Sequence, residues 1–210
     1  MPTRKAPPVR KARDVAAGGP VTKAGAGRVA KAAAAASDTR ARQKATLAEA
    51  RAVAHPVRLR IIRLCLDEAL TNKELAQRLG MNAGTTLHHV RTLVANGFLA
   101  EQEGRPAARG TTGKPYRSTG KSWLLDIDDS EQRDQVERAM LQAVAAEVDE
   151  AGPGAVIEAS RLAMRLRPEQ IEELTARLQA VIDDYGASAA DDPDGEPVAM
   201  LLLLHRRRRR

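Results

Sequence analysis

The chain has 210 residues, 34 Lys and Arg against 27 Asp and Glu, a formal net charge of +7, 43 % apolar residues and only 2 % aromatics. That length suits one large domain or two small ones. The single cysteine, Cys65, excludes an internal disulfide framework and an intrachain thiolate metal cluster, and Phe98, Tyr116, Trp123 and Tyr185 are too few for a stacking platform that grips single strands or RNA.

The charge is unevenly spread: +9 over 1–44, +6 over 45–122, −13 over 123–205 and +5 over 206–210. A polyanion would meet the first half, with the acidic segment held away from it. Residues 1–36 are mostly Pro, Gly, Ala and Lys/Arg, with too little large apolar surface to offset the entropy of ordering. The expected division is therefore a disordered basic tail over 1–44, a folded basic domain over 45–122, an acidic domain over 123–205 and a poly-Arg tail over 206–210. No charged leader runs into an apolar stretch at the N-terminus, so no secretory signal is expected. The longest apolar run, Val198 to Leu204, is too short to span a bilayer. A cytoplasmic, nucleoid-associated protein with no membrane partner is the expectation.

From Thr46 the pattern turns helical. Leu47, Ala50, Val53 and Ala54 share one face of a helix that stops at His55-Pro56, because the residue before proline is pushed out of the α region. Pro56 suits the first turn of a second helix, with Leu59, Ile62, Cys65 and Leu66 inward and Arg58, Arg60 and Arg63 outward. Cys65 on that apolar face reads as a buried, inert thiol. Thr71 and Glu74 then have the spacing of a capping box, in which hydroxyl and carboxylate each satisfy a free backbone N–H. Leu75, Ala76 and Leu79 face inward, and Gly80 can take the left-handed conformation that ends this short helix. Asn82 is a good N-cap for a fourth helix over 83–95, with Leu87, Val90, Leu93 and Val94 buried and Gly97 closing it.

Two short helices joined by Gly80-Met81-Asn82 carry a helix-turn-helix signature. The outward face of the second presents Gly84, Thr85, His88, Arg91 and Thr92, with Thr86 and His89 towards its edge, and it holds no acid. Small and hydroxyl residues near the helix start allow close approach to base edges, while Arg91 can bond guanine or a phosphate. These seven residues are the candidate DNA-reading set. His88 and His89 are adjacent and so point about 100° apart on a helix, which is not the spacing a metal prefers. No metal ligand and no cofactor is expected.

The stretch AHPVRLRIIRLCLDEALTNKELAQRLGMNAGTTLHHVRTLVANGFLAEQE resembles the winged-helix domain of ArsR-type bacterial transcription regulators over about 46–120. The most specific pieces are HPVRLRII, KELAQRLG and HHVRTLVANGFL. The resemblance implies a homodimeric regulator of double-stranded DNA, with repression the expected mode. It departs from the family's metal sensors, because Thr71 to Leu79 lacks their cysteine pair.

Phe98 to Glu103 can extend as a wing strand, GRPAARGTTGKP can turn, and Tyr116 to Thr119 can return. Arg105, Arg109, Lys114 and Arg117 on this wing and its flank are candidates for phosphate or minor-groove contact. Glu101 and Glu103 count against contact along the first strand.

In the acidic part, Trp123, Leu125 and Ile127 alternate like a strand, and Val136, Met140, Val144 and Val148 mark a helix over 131–150. Leu162, Met164 and Leu166 suggest a strand over 159–166, Pro168 opens another helix, and Val198 to Leu204 has the composition of a buried strand. The expected fold class is thus mainly α with α+β, a winged helix-turn-helix domain followed by a small β-α-β-α-β two-layer unit. That unit could bind a small-molecule effector, dimerise, or do both. It holds no enzyme constellation. The leading function is sequence-specific DNA binding in transcription regulation, and the alternative is an architectural nucleoid protein dominated by its basic tails.

Overall fold

The computed structural model describes residues 43–103, 105–106, 112–188 and 195–207, so residues 1–42 of the tail expected over 1–44, the wing tip with Arg109, and the last three arginines lie outside the described residues. The chain divides into residues 1–38 and 39–210, and the fold below belongs to the second part. In chain order it runs β1 (Gln43–Lys44), α1 (Leu47–Val53), α2 (Pro56–Asp67), β2 (Leu70–Thr71), α3 (Asn72–Arg78), α4 (Ala83–Ala95), β3 (Leu99–Glu101), β4 (Arg105–Pro106), β5 (Thr112–Gly113) and β6 (Pro115–Ser118). A 3-10 turn (Lys121–Leu124), β7 (Leu125–Asp126), α5 (Ser130–Ala151) and α6 (Pro168–Ser188) follow.

Local chemistry sets the helix ends. Thr71 closes the expected capping box with Glu74, and Thr46 closes a second with Glu49. In each, the threonine Oγ1 accepts from the glutamate backbone N–H while the glutamate carboxylate accepts from the threonine N–H at 2.7 Å. Thr71→Ala should therefore cost about 1 kcal/mol in urea melts, and Thr71→Ser should restore most of it. The other ends of α3 and α4 close alike. Gly80 and Gly97 have φ of 61° and 74°, and Met81 N–H and Phe98 N–H reach back to the carbonyls of Ala76 and Leu93 respectively, each at 2.9 Å. This geometry needs a left-handed residue after each helix, which glycine supplies without a Cβ penalty.

The wing is antiparallel. β6 lies between β2 and β3, pairing Leu70 with Tyr116 on one side and Ala100 with Arg117 on the other. β4 and β5 continue the hairpin towards its tip. One core serves all of this: Ile61, Cys65, Leu70, Leu75, Val90, Leu93, Phe98 and Leu99 are buried together, with Val136 from α5 among them. The architecture is a mainly α winged helix-turn-helix with a small antiparallel sheet. Cys65 is fully buried, and burial pushes its thiol up to about 12, so it stays protonated and unreactive.

Several expectations are corrected. Gln43 and Lys44, assigned by composition to the basic tail, form β1, which pairs in parallel with β7 and is anchored by Lys44 to Asp128 at 2.6 Å. The charge change at 122/123 is not a packing boundary, because α5 packs on α1 and α2 and supplies Val136 to the same core. On α5 the buried set is Gln132, Val136, Ala139 and Ala143, whereas Met140 and Val148 are exposed. A four-residue period drifts about 40° per step around a helix of 3.6 residues per turn, so the expected stripe winds off the contact. Small alanines instead allow close approach. Arg58, Arg60 and Arg63, expected outward, are half-buried on α2. Arg60 pairs with Glu150 of α5, so the acidic helix neutralises part of this basic face.

Strands expected over 159–166 and 198–204 do not form, and both segments lack regular secondary structure. A strand needs a ladder partner, and the alternating pattern supplies only one side of that requirement. The expected β-α-β-α-β order is thus reduced to β7, α5 and α6. Leu162 and Leu204 are largely exposed. Among the described residues, no helix is long and apolar enough to cross a membrane.

Candidate nucleic-acid interface

The interface is built on α4. Asn82 caps it by accepting from Gly84 N–H at 2.8 Å, and Asn72 of α3 donates to the Ala83 carbonyl at 2.9 Å. The first turn of α4 is thereby tied to the first turn of α3. Val90 and Leu93 press α4 into the core. The opposite face leaves Gly84, Thr85, His88 and Arg91 exposed. Among the described residues no ion pair involves Arg91. The nearest neighbours of α4 are α2, α3 and β3, while acidic α5 packs on α1 and α2.

Two members of the expected set do not belong to this face. Thr86 is 0 % exposed, and its hydroxyl donates to the Asn82 carbonyl at 3.0 Å. His89 is 8 % exposed. Leu87, expected inside, is half-buried instead. The buried face of α4 keeps Val90 and Leu93 and is rotated by about 60° from that expected. The pattern does carry this signal: counting back from Leu93 and Val90 by helical steps reaches Thr86 and His89. Thr92 is half-buried and spends its hydroxyl on the His88 carbonyl at 3.0 Å.

His89 packs against His55, the N-cap residue of α2, with ring centroids 4.6 Å apart, and against His88 at 5.8 Å. His55 Nδ1 accepts from Val57 N–H at 3.2 Å, which holds that ring in place. Desolvation first, then the neighbouring His55, Arg58 and His88, depresses His89 to about 4. The ring is neutral at pH 7 and acts as a packing element. Because the folded value lies below the unfolded one of about 6.5, the neutral ring contributes stability that is complete above about pH 6.5. It is lost as the pH falls from there towards about 4. Stability against urea should decline across that window, and His89→Gln should flatten the decline.

On the wing, Lys114 is exposed and pairs with Glu101 at 2.9 Å; the hydrogen bond and charge of Glu101 raise its pKa. Arg117 is exposed on β6, with Nη1 3.5 Å from the Asp67 carbonyl, a long contact. Arg105 lies in β4, and Arg109 is outside the described residues. Two lysines stand outside the set expected from sequence. Lys73, exposed in the first turn of α3, sits on the helix tied to the start of α4. Lys121 is structural: it donates to the Asn96 carbonyl at 2.8 Å, pairs with Glu49 at 2.5 Å and lies over the Phe98 ring at 5.4 Å. That pairing, with the Thr46 N–H and hydroxyl, lowers Glu49 to about 2.

Among the described residues, no three of His, Cys, Asp or Glu gather as a metal site. The arrangement can bind, through an exposed acid-free helix face beside a basic hairpin.

Residues 53–102 match the protein family described as "Helix-turn-helix domain", the span from the end of α1 to the first wing strand. A family defined by this module supports a DNA-binding regulator. Among solved structures, the chain is similar to the multiple antibiotic-resistance repressor (MarR) from Listeria monocytogenes 4b F2365, at 13 % identity over 80 % of this chain and 88 % of that one. The TM-score is 0.25, too low to bear on the fold. No curated protein matches.

Proposed function

We propose that the chain is a sequence-specific, double-stranded DNA-binding transcription regulator of the ArsR-like winged-helix kind, working as a homodimer in the cytoplasm. The observation that carries this reading is the α4 face, where Gly84, Thr85, His88 and Arg91 are exposed together with no acid among them. Such a helix enters a major groove, and two copies on a dimer read half-sites about one helical turn apart. Lys114 and Arg117, with Arg105 and Arg109, supply backbone or minor-groove contacts from the wing. Lys73 adds a phosphate contact from α3. On binding, Lys114 exchanges Glu101 for a phosphate. The basic segment 1–44 adds affinity without sequence information.

The test is binding of the full chain to DNA upstream of its own gene, against a shuffled fragment of equal length and composition, across a salt series. Preference for the native fragment that survives at physiological salt supports the reading. Equal binding of both fragments there and at other promoters, vanishing as salt rises, would replace it with architectural DNA binding through the tails.

A further inference from the structure

Among the described residues, no other helix or strand packs on α6 beyond isolated contacts. Its apolar stripe, Ile171, Leu174, Leu178, Val181 and Tyr185, repeats every three or four residues. Met164 and Leu166 line a shallow hollow of about 220 Å³ with Leu174, beside the first half of that stripe. Further along, Val181 and Tyr185 are exposed. The segments 159–166 and 198–204 flank α6 in the chain and have the composition of strands. Among the described residues neither makes a backbone–backbone hydrogen bond. Both expose large apolar side chains, with Leu162 at 76 % and Met200 at 62 %.

We propose that α6 and these two segments form the interface with a second copy of this chain, the segments pairing as strands across it. The inference rests on the homodimer put forward above and names its surface. A lone amphipathic helix of this length is marginal in water, so the open half of its stripe needs a cover. Strand-like segments need ladder partners, and a second copy supplies them. The exposed apolar side chains of 156–204 leave on the order of 1,000 Å² in water, enough for the ~800 Å² that each partner brings to a stable interface. Charge selects the occupant. α6 carries Glu169, Glu172, Glu173, Asp183 and Asp184 against Arg177 alone, whereas Arg161, Arg165 and Arg167 alternate with the apolar positions just before it. A two-fold interface must be self-complementary, and here the basic segment of one copy meets the acidic helix of the other. Other occupants fit worse. An anionic bilayer would be repelled by the acids of α6. Residues 1–36 lack the large apolar side chains needed to cover the stripe.

The test is sedimentation velocity of the full chain over a dilution series, with amide hydrogen exchange at both ends of that series. Leu162→Glu and Val181→Glu each place a charge at an exposed position, so the fold of one copy should survive, as urea melts check. Each change occurs twice in a two-fold interface and should weaken dimerisation by about 100-fold or more. Leu47→Glu, exposed on α1, should leave it unchanged. Amides of 159–166 and 198–204 should be protected in the dimer and lose protection on dilution. A dimer that survives both substitutions would overturn the inference, and one lost only in Leu47→Glu would move the interface to α1 while keeping the homodimer. Protection that ignores concentration would show the strands pairing within one chain, which also overturns it. A parent chain that stays monomeric at about 100-fold the concentration used for DNA binding would remove the homodimer as well, leaving DNA reading to its own test.

Discussion

Phe98→Ala is expected to destabilise the chain by about 3–5 kcal/mol, a large share of the roughly 5–15 kcal/mol typical of a folded domain. Phe98 is 1 % exposed and lies where the chain leaves α4 for the wing. Its N–H closes the end of α4 on Leu93, its carbonyl accepts from Thr119 N–H at 3.1 Å, and its ring lies under Lys121. Truncation therefore opens a cavity at the joint between helix and hairpin. Urea melts measure the loss directly. Leu47→Ala, at an exposed position on α1, should stay within about 0.5 kcal/mol of the parent. A loss at Phe98 no larger than that would show that the ring is not a core element.

Arg91→Ala is expected to weaken binding to the native DNA fragment by about 10- to 100-fold, the range for one side chain that reads a base edge. Stability should be unchanged, because Arg91 is exposed and is in no ion pair among the described residues. On shuffled DNA the loss should be small. Lys114→Ala offers the contrast, weakening both fragments alike and reducing the salt slope by about one. Competition binding on the two fragments separates the cases. An equal loss on both for Arg91→Ala would assign that side chain to phosphate instead of a base.

The features legible in the amino-acid sequence are those that depend on near neighbours. The Thr71–Glu74 box, Pro56 at a helix start, Asn82 as a cap, and Gly80 and Gly97 as helix ends all act over a handful of residues. Phe98 as the inward anchor of the wing also follows from the residues around it. The exposed members of the α4 face, Gly84, Thr85, His88 and Arg91, are legible for the same reason. Thr86 and His89 are legible only through the helical period counted back from Val90 and Leu93, because their residue types suggest an edge while packing against α2 and α3 carries both inside.

The sequence by itself determined the helix-turn-helix order, the helix ends and the acid-free face, since capping, turn chemistry and helical period are short-range. Tertiary structure alone decided the seating of α5 on α1 and α2, the face of α5 that is buried there, and the engagement of Arg60 by Glu150. It also decided that β1 finds β7, far along the chain, while 159–166 and 198–204 stay irregular. The reason is common to all of these. A helix meets its own hydrogen bonds wherever it lies, but its phase against a neighbour, and any strand at all, require a partner distant in the chain.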